Sequence, residues 1–305
     1  MLKLINNIFT GKRATIDAPP KAGRYANSGG HGRAESLYAS NLMSVARGVD
    51  DIVSSYDPYD DASGGNVLNA LKEYSKSLRD WAQNEAQRMT KEMVEVDERK
   101  WKQQSLKMSK ALYDEINKAP IDEMLKEYMD EQVVLIRSMP LQAAERVHKL
   151  ILEKASVGGA RADSLVKEIM KTGKVTESRA KLIARTEISK ISTGLTKSRS
   201  KTIGADFYIW RTSKDIRVRD SHKHMEGVLI NWNDPPSPEQ LIGKKSSLGK
   251  YHAGEAPNDR CFPEPVINVE QVTFPAKMYR NGRIERISKE KFLSMFEDVK
   301  QKNAA

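Results

Sequence analysis

The chain has 305 residues, 30% of them charged and 39% hydrophobic, and carries a net charge of +10. That length allows one large or two modest cored domains, the composition excludes a disordered chain, and the charge favours polyanionic partners. A single cysteine excludes an intramolecular disulfide, and no stretch approaches the ~20 apolar residues of a membrane span.

Residues 1–35 hold "GKRATIDAPPKAGRYANSGGHGRAE", rich in Gly, Ala, Pro and cations without a period, and read as a flexible basic arm. The opening "MLKLINNIF" is too short for a signal peptide and lacks a small-residue cleavage site. A short helix is expected from Ser36 to Arg47, followed by an acidic, turn-rich link, "DDIVSSYDPYDDASGG".

Residues 36–156 are mainly helical. Val67, Leu71, Tyr74, Leu78, Trp81, Met89, Met93 and Val96 recur at steps of three and four, with Ala82 and Ala86 filling the wider gap. Further helices are expected over residues 121–137, stopped by Pro140, and from Leu141 to Ala155 before Gly158-Gly159.

The texture changes near residue 157. A helix at Ala162 to Lys171 passes through Gly173 to a second, for which Thr176 is the expected N-cap and Ala184, Ile188, Ile191 and Leu195 the apolar face. The opposite face holds Lys181, Lys190, Lys197, Arg199 and Lys201, the densest basic helix of the chain. After Gly204 the period shifts toward two, and "FYIWRT", "VLINW" and "EPVINV" read as short antiparallel strands. The fold class is therefore α+β: long N-terminal helices, then a small α/β module over residues 157–287, then a charged, fraying tail at 288–305.

Four residues in this module bind borderline-soft cations: His222, His224, His252 and Cys261, with Asp259 beside them. Two ligands from one turn and two from a distant hairpin would form a tetrahedral clip. The spacing is neither a CxxC pair nor an HExxH helix, so ordinary hydrogen bonding by His222 and His252 and a buried Cys261 thiol accounts for the same residues. A hydrolase using His222, His224 and His252 is the rival, yet no phosphate loop, paired carboxylates or nucleophile elbow accompanies them. Arg185 and Glu187 of "RTE" lie on different sides of their helix, and Glu187 is expected to pair with Arg217 or Arg219 in a structural network.

The pieces "SRAKLIARTEISK", "YIWRTSKDIRVRDSH", "MEGVLINWNDPPSP" and "YHAGEAPNDRCFPEP", within Ser164 to Ile267, together resemble the head morphogenesis, or minor head protein, domain of tailed bacteriophages typified by the F protein of phage Mu. The family's recurring positions fall on Arg179, Arg185, Thr186, Glu187, Trp210, Asp215, Arg217, Arg219, His222, Gly227, His252 and Cys261. Where many relatives show Cys-Arg-Cys, this chain has Asp259-Arg260-Cys261. The resemblance implies a structural zinc on His222, His252, Asp259 and Cys261, with His224 spare.

It also implies a non-enzymatic virion component of the head interior or portal vertex, assembled in the host cytoplasm. The helical region would dock on the portal protein and on the major capsid or scaffolding protein. The basic helix would bind double-stranded DNA through phosphates without reading sequence, in packaging or delivery, with no membrane partner. A free regulator of the host cell would require dimer symmetry and a groove-reading helix, and the sequence signals neither.

Overall fold

The computed structural model describes residues 31–60, 62–105, 110–156 and 159–295. The expected arm over residues 1–30 and the end of the charged tail lie outside them. Among the described residues, seven helices run in order before the first strand: α1 (Gly32–Val53), α2 (Ser63–Ser77), α3 (Arg79–Ser105), α4 (Lys110–Ile116), α5 (Asp122–Ala155), α6 (Gly159–Met170) and α7 (Thr172–Thr202). Then come β1 (Phe207–Thr212), α8 (Asp220–Met225), β2 (Leu229–Asn231), α9 (Pro238–Leu241), β3 (Cys261–Pro265), β4 (Ala276–Arg280) and β5 (Arg283–Ile287).

The chain forms two compact units that interleave in sequence. One comprises the described residues of 31–96 and 121–191, and is helical. Its core joins Val49 and Val53 of α1, Val67 and Leu71 of α2, Ala143, Ala144 and Val147 of α5 and Ile169 of α6. Full burial of each Val or Leu contributes about 1.5–3 kcal/mol. Along α1 the residues Ala34, Tyr38, Leu42, Val45, Ala46, Val49 and Val53 are buried at helical spacing. That helix therefore starts inside the expected arm and absorbs the first four residues of the expected acidic link.

Pro140 does not end a helix. It sits buried within the 34-residue α5. Proline removes one backbone hydrogen bond and crowds the carbonyl a turn earlier, but burial of Ile136, Met139, Ala143, Ala144 and Val147 along the same helix outweighs that local loss. Thr176 likewise is no cap. The last helix of the unit begins at Thr172, and the Thr176 hydroxyl donates to the Thr172 carbonyl at 2.9 Å. Gly173 permits this start: a Cβ there would lie 1.9 Å from Asp50 Oδ1 and 2.5 Å from Asp50 Cβ.

The second unit contains the described residues of 97–120 and from 192 onward, including a five-stranded sheet of order β3-β1-β2-β4-β5. Central β1 faces both ways. Phe207 and Ile209 join Leu229, Met278, Ile287 and Phe292 on one side, while Tyr208 and Trp210 join Ile230, Trp232 and Tyr251 on the other. A strand covered on both faces is apolar throughout, which is how "FYIWRT" reads.

Three expectations for this unit change. The sheet is mixed rather than antiparallel, because β2 meets β4 in parallel at Leu229 and Met278. The third strand is Cys261–Pro265, three residues before "EPVINV", because Asn268 caps a 3-10 turn at Val269–Gln271 by accepting from Glu270 N. The tail is not wholly a fraying charged helix: Phe292 is fully buried, its ring 5.3 Å from that of Phe207.

Candidate metal centre and the basic helix

His222 lies in the short helix α8, which packs against β1 behind the left-handed Gly227. Asp259 and Cys261 stand at the entry to β3, and the strand register sets Cys261 opposite Thr212. These elements bring His222, Asp259 and Cys261 together, all buried, with ligand atoms within 4.8 Å of one another. His222 Nδ1 is 3.0 Å from Asp259 Oδ1 and 3.2 Å from Cys261 Sγ. The aspartate also closes its own loop, accepting from Gly254 N at 2.9 Å and from Cys261 N at 3.0 Å.

The hydrogen-bond pattern around His222 bears on what this group can hold. The Tyr251 hydroxyl lies 2.8 and 2.9 Å from the two Glu239 carboxylate oxygens and gives its one proton there. The same hydroxyl is 2.9 Å from His222 Nε2, which must then be the donor. In the neutral ring, that tautomer turns the Nδ1 lone pair toward Asp259 and Cys261. Nitrogen, carboxylate oxygen and sulfur thus converge where a proton or a cation must balance them. Where a proton fills that place on His222 Nδ1, burial still holds the Asp259 carboxyl up, and the hydrogen bond from His222, the largest opposing influence, brings it to a net position below the usual carboxylate range. Burial and then Asp259 push the Cys261 thiol far up, so a bound cation would have to displace its proton.

The donor set suits a borderline-soft metal, and Tyr251 with Glu239 orients the imidazole from behind as ligating histidines require. The group could hold a metal ion with three protein ligands. The expected fourth ligand, His252, is elsewhere: its Nδ1 is 3.2 Å from the Tyr208 hydroxyl and its Nε2 3.2 Å from Lys197 Nζ. Burial, then Lys197, lowers its pKa to about 3. His224 is exposed on the far side of α8. The three histidines of the hydrolase reading therefore do not form one site.

The basic helix also divides. Lys181 and Lys201 are exposed. Lys197 lies against His252, while Lys190 bridges Glu187 at 3.0 Å and Glu131 at 3.2 Å. Arg199 is 2% exposed, with its guanidinium on Asp97 and on the Ile116 carbonyl. It is a core ion pair, not a phosphate contact.

Arg185 and Glu187 of "RTE" are each engaged, with partners other than those expected. Arg185 meets Glu35 at 3.1 Å. Glu187 accepts from Gln132 at 2.8 Å, which in turn accepts from the Tyr38 hydroxyl at 2.7 Å. Neither Arg217 nor Arg219 takes part: Arg217 N donates to Asp215, and Arg219 donates to the Pro257 carbonyl. Sequence reasoning missed Tyr251 and Glu239, whose roles depend on where a long loop returns. It also missed Tyr38, Gln132 and Asp97, which carry no motif.

Residues 146–262 match the family described as phage Mu protein F like protein. This segment is phage Mu F-like. The match covers the three-residue group and most of the span on which the sequence resemblance rests, starting earlier and stopping at Phe262. Over that segment the chain is similar to this family, and the matched span is less than half of its length. The chain is also 32% identical over 157 residues to an uncharacterized protein of Haemophilus influenzae, covering 51% of this chain and 32% of that protein. The chain thus spans about a third of the length of this curated relative. No solved structure matches it significantly. Among the described residues, no helix is long and apolar enough to cross a membrane.

Proposed function

We propose that the protein is a structural minor head protein of a tailed bacteriophage, held at or near the portal vertex of the procapsid and head. The family match over residues 146–262 carries this reading. In it the helical region docks on the portal and on capsid or scaffolding protein, and the chain touches packaged DNA through phosphates. On the basic helix, exposed Lys181 and Lys201 remain for such contact, since Lys190 and Arg199 are engaged by carboxylates and Lys197 lies against His252.

The group His222, Asp259 and Cys261 would hold zinc as a clip that ties the entry of β3 to α8. Zinc would supply cross-linking there, as structural sites do in small loop-rich modules. A catalytic reading has less support, because His224 and His252 stand apart from His222.

Quantitative mass spectrometry of purified particles, and of portal complexes isolated from them, tests the assignment. A few copies per head, retained with the portal, are expected. Absence from particles while the protein is abundant in infected cells would overturn it.

A further inference from the structure

We propose that the β4–β5 hairpin is a phosphate-binding ribbon that enters a groove of duplex DNA, with one pair of cations turned to each groove wall. The inference rests on the reading of this protein as one that touches DNA, and places that contact beyond Phe262, where the family match ends.

Residues 276–287 hold Lys277, Arg280, Arg283 and Arg286 against one acid, Glu285. The strand register sets these cations on one another: Lys277 stands opposite Arg286, and Arg280 opposite Arg283. Opposed residues of an antiparallel pair have Cβ atoms about 4.5–5.5 Å apart, and like charges there destabilise the sheet. All four cations are exposed. Among the described residues, Lys277, Arg280 and Arg286 meet no carboxylate, and Arg283 reaches Glu285 only at 3.8 Å with its side chain 76% exposed. The hairpin thus carries two like-charged pairs that nothing in the described chain offsets.

Guarding a sheet edge against pairing with another chain explains charge on β5, the edge strand. It does not explain Lys277 and Arg280, which stand on β4, one strand further in. Side chains alternate along a strand, so Lys277 with Arg286 lies on one face of the ribbon and Arg280 with Arg283 on the other.

That two-sided distribution decides the occupant. An acidic protein surface would engage one face, and the hairpin offers it no exposed large apolar anchor: Met278 and Tyr279 are buried, and Ile284 is half-buried. A duplex groove carries phosphates on both walls, and the major groove, about 12 Å wide, admits a two-stranded β-ribbon. The tip is Asn281-Gly282, with φ 51 and 79, a two-residue turn with no bulky side chain to hold it off the groove floor. Arginine, at positions 280, 283 and 286, grips a phosphate through two parallel N–H groups.

Anisotropy of a labelled duplex of about 30 base pairs, titrated with the full chain over a salt series, tests this. Lys277→Gln with Arg286→Gln, and Arg280→Gln with Arg283→Gln, should each weaken binding about 10-fold and lower the salt slope by about 2, one unit per lost phosphate contact. Both pairs repel in the free protein, so each variant should melt at or slightly above the parent temperature. Arg280→Lys with Arg283→Lys keeps the charge and should keep the salt slope. If the parent and both hairpin variants bind equally well, the hairpin proposal falls while the DNA reading stands, and Lys181→Gln with Lys201→Gln then tests the basic helix. A loss confined to one pair would overturn the placement between two walls. If the parent binds no duplex at all, both readings fail. Hairpin variants that bind duplex normally but lose portal association would assign the ribbon to a protein partner and overturn the proposal.

Discussion

The guanidinium of Arg199 is buried against the carboxylate of Asp97, 102 positions earlier in the chain. Burial pushes the Asp97 carboxyl up to about 6, against the pull of Arg199, so desolvation is the larger influence there. Removing one partner leaves the other charge stranded. Arg199→Met is expected to cost about 3 kcal/mol at pH 7.5, and the double variant Asp97→Leu with Arg199→Met to recover most of it. Urea denaturation of the three proteins checks this. A single variant as stable as the parent would refute the contribution of this buried pair to the core.

His252 gives stability a pH dependence. Its folded pKa is about 3 against an ordinary 6.5, because burial disfavours the imidazolium. Below pH 6.5 the unfolded chain takes up a proton that the folded chain refuses, so stability present above 6.5 is lost as pH falls toward 3. At pH 5 the loss is about 2 kcal/mol. Asp97 acts in the opposite direction over much of this range, so the comparison must be with His252→Asn. Denaturation midpoints should show that His252→Asn, relative to the parent, gains stability at pH 5 compared with pH 7.5; an unchanged pH difference would refute the assignment.

Zinc binding to His222, Asp259 and Cys261 would act on the folded form alone. Added zinc is expected to raise the melting temperature, by a linkage that grows with its concentration over Kd, and chelation to reverse it. Cys261→Ser should remove the response. Asp259→Cys, which restores the paired cysteines of many relatives, should strengthen it because thiolate suits zinc better than carboxylate. A melting curve indifferent to zinc in both the parent and Asp259→Cys would leave the three residues as a hydrogen-bonded staple.

Gly173→Ala sets two effects against each other. Helix propensity alone favours alanine by about 1 kcal/mol. The new methyl would meet Asp50 Oδ1 at 1.9 Å and Asp50 Cβ at 2.5 Å, and because Cβ sits next to the backbone the contact cannot be relieved by rotating the side chain. Overpacking of this kind costs about 1–3 kcal/mol, so net destabilisation of about 1 kcal/mol is expected by thermal melt. Net stabilisation would mean that the starts of α7 and the end of α1 separate readily.

The helices and central strand were legible because burial writes a period into the sequence. Val67, Leu71, Ala184, Ile188, Ile191 and Leu195 all fall on buried faces, and "FYIWRT" is β1 residue for residue. The hairpin of β4 and β5 was missed although its signal was present: Asn281-Gly282 in "YRNGRI" has φ 51 and 79, the conformation that such a dipeptide adopts between two strands. Pro140 misled for a physical reason. A local rule predicts a break, and tertiary burial on both sides of the proline overrides it.

The site was half legible. The sequence by itself determined which residue types could meet a cation or a phosphate, since donor chemistry belongs to the side chain, and its motifs carried the resemblance to phage Mu F-like proteins. Only the tertiary structure decided which of them meet. Strand register and loop return put Asp259 and Cys261 on His222 and turned His252 toward Tyr208 and Lys197. The same folding buried Arg199 on Asp97. Partners separated by 29 to 102 positions are chosen by packing of whole elements, and no local pattern in the chain encodes that choice.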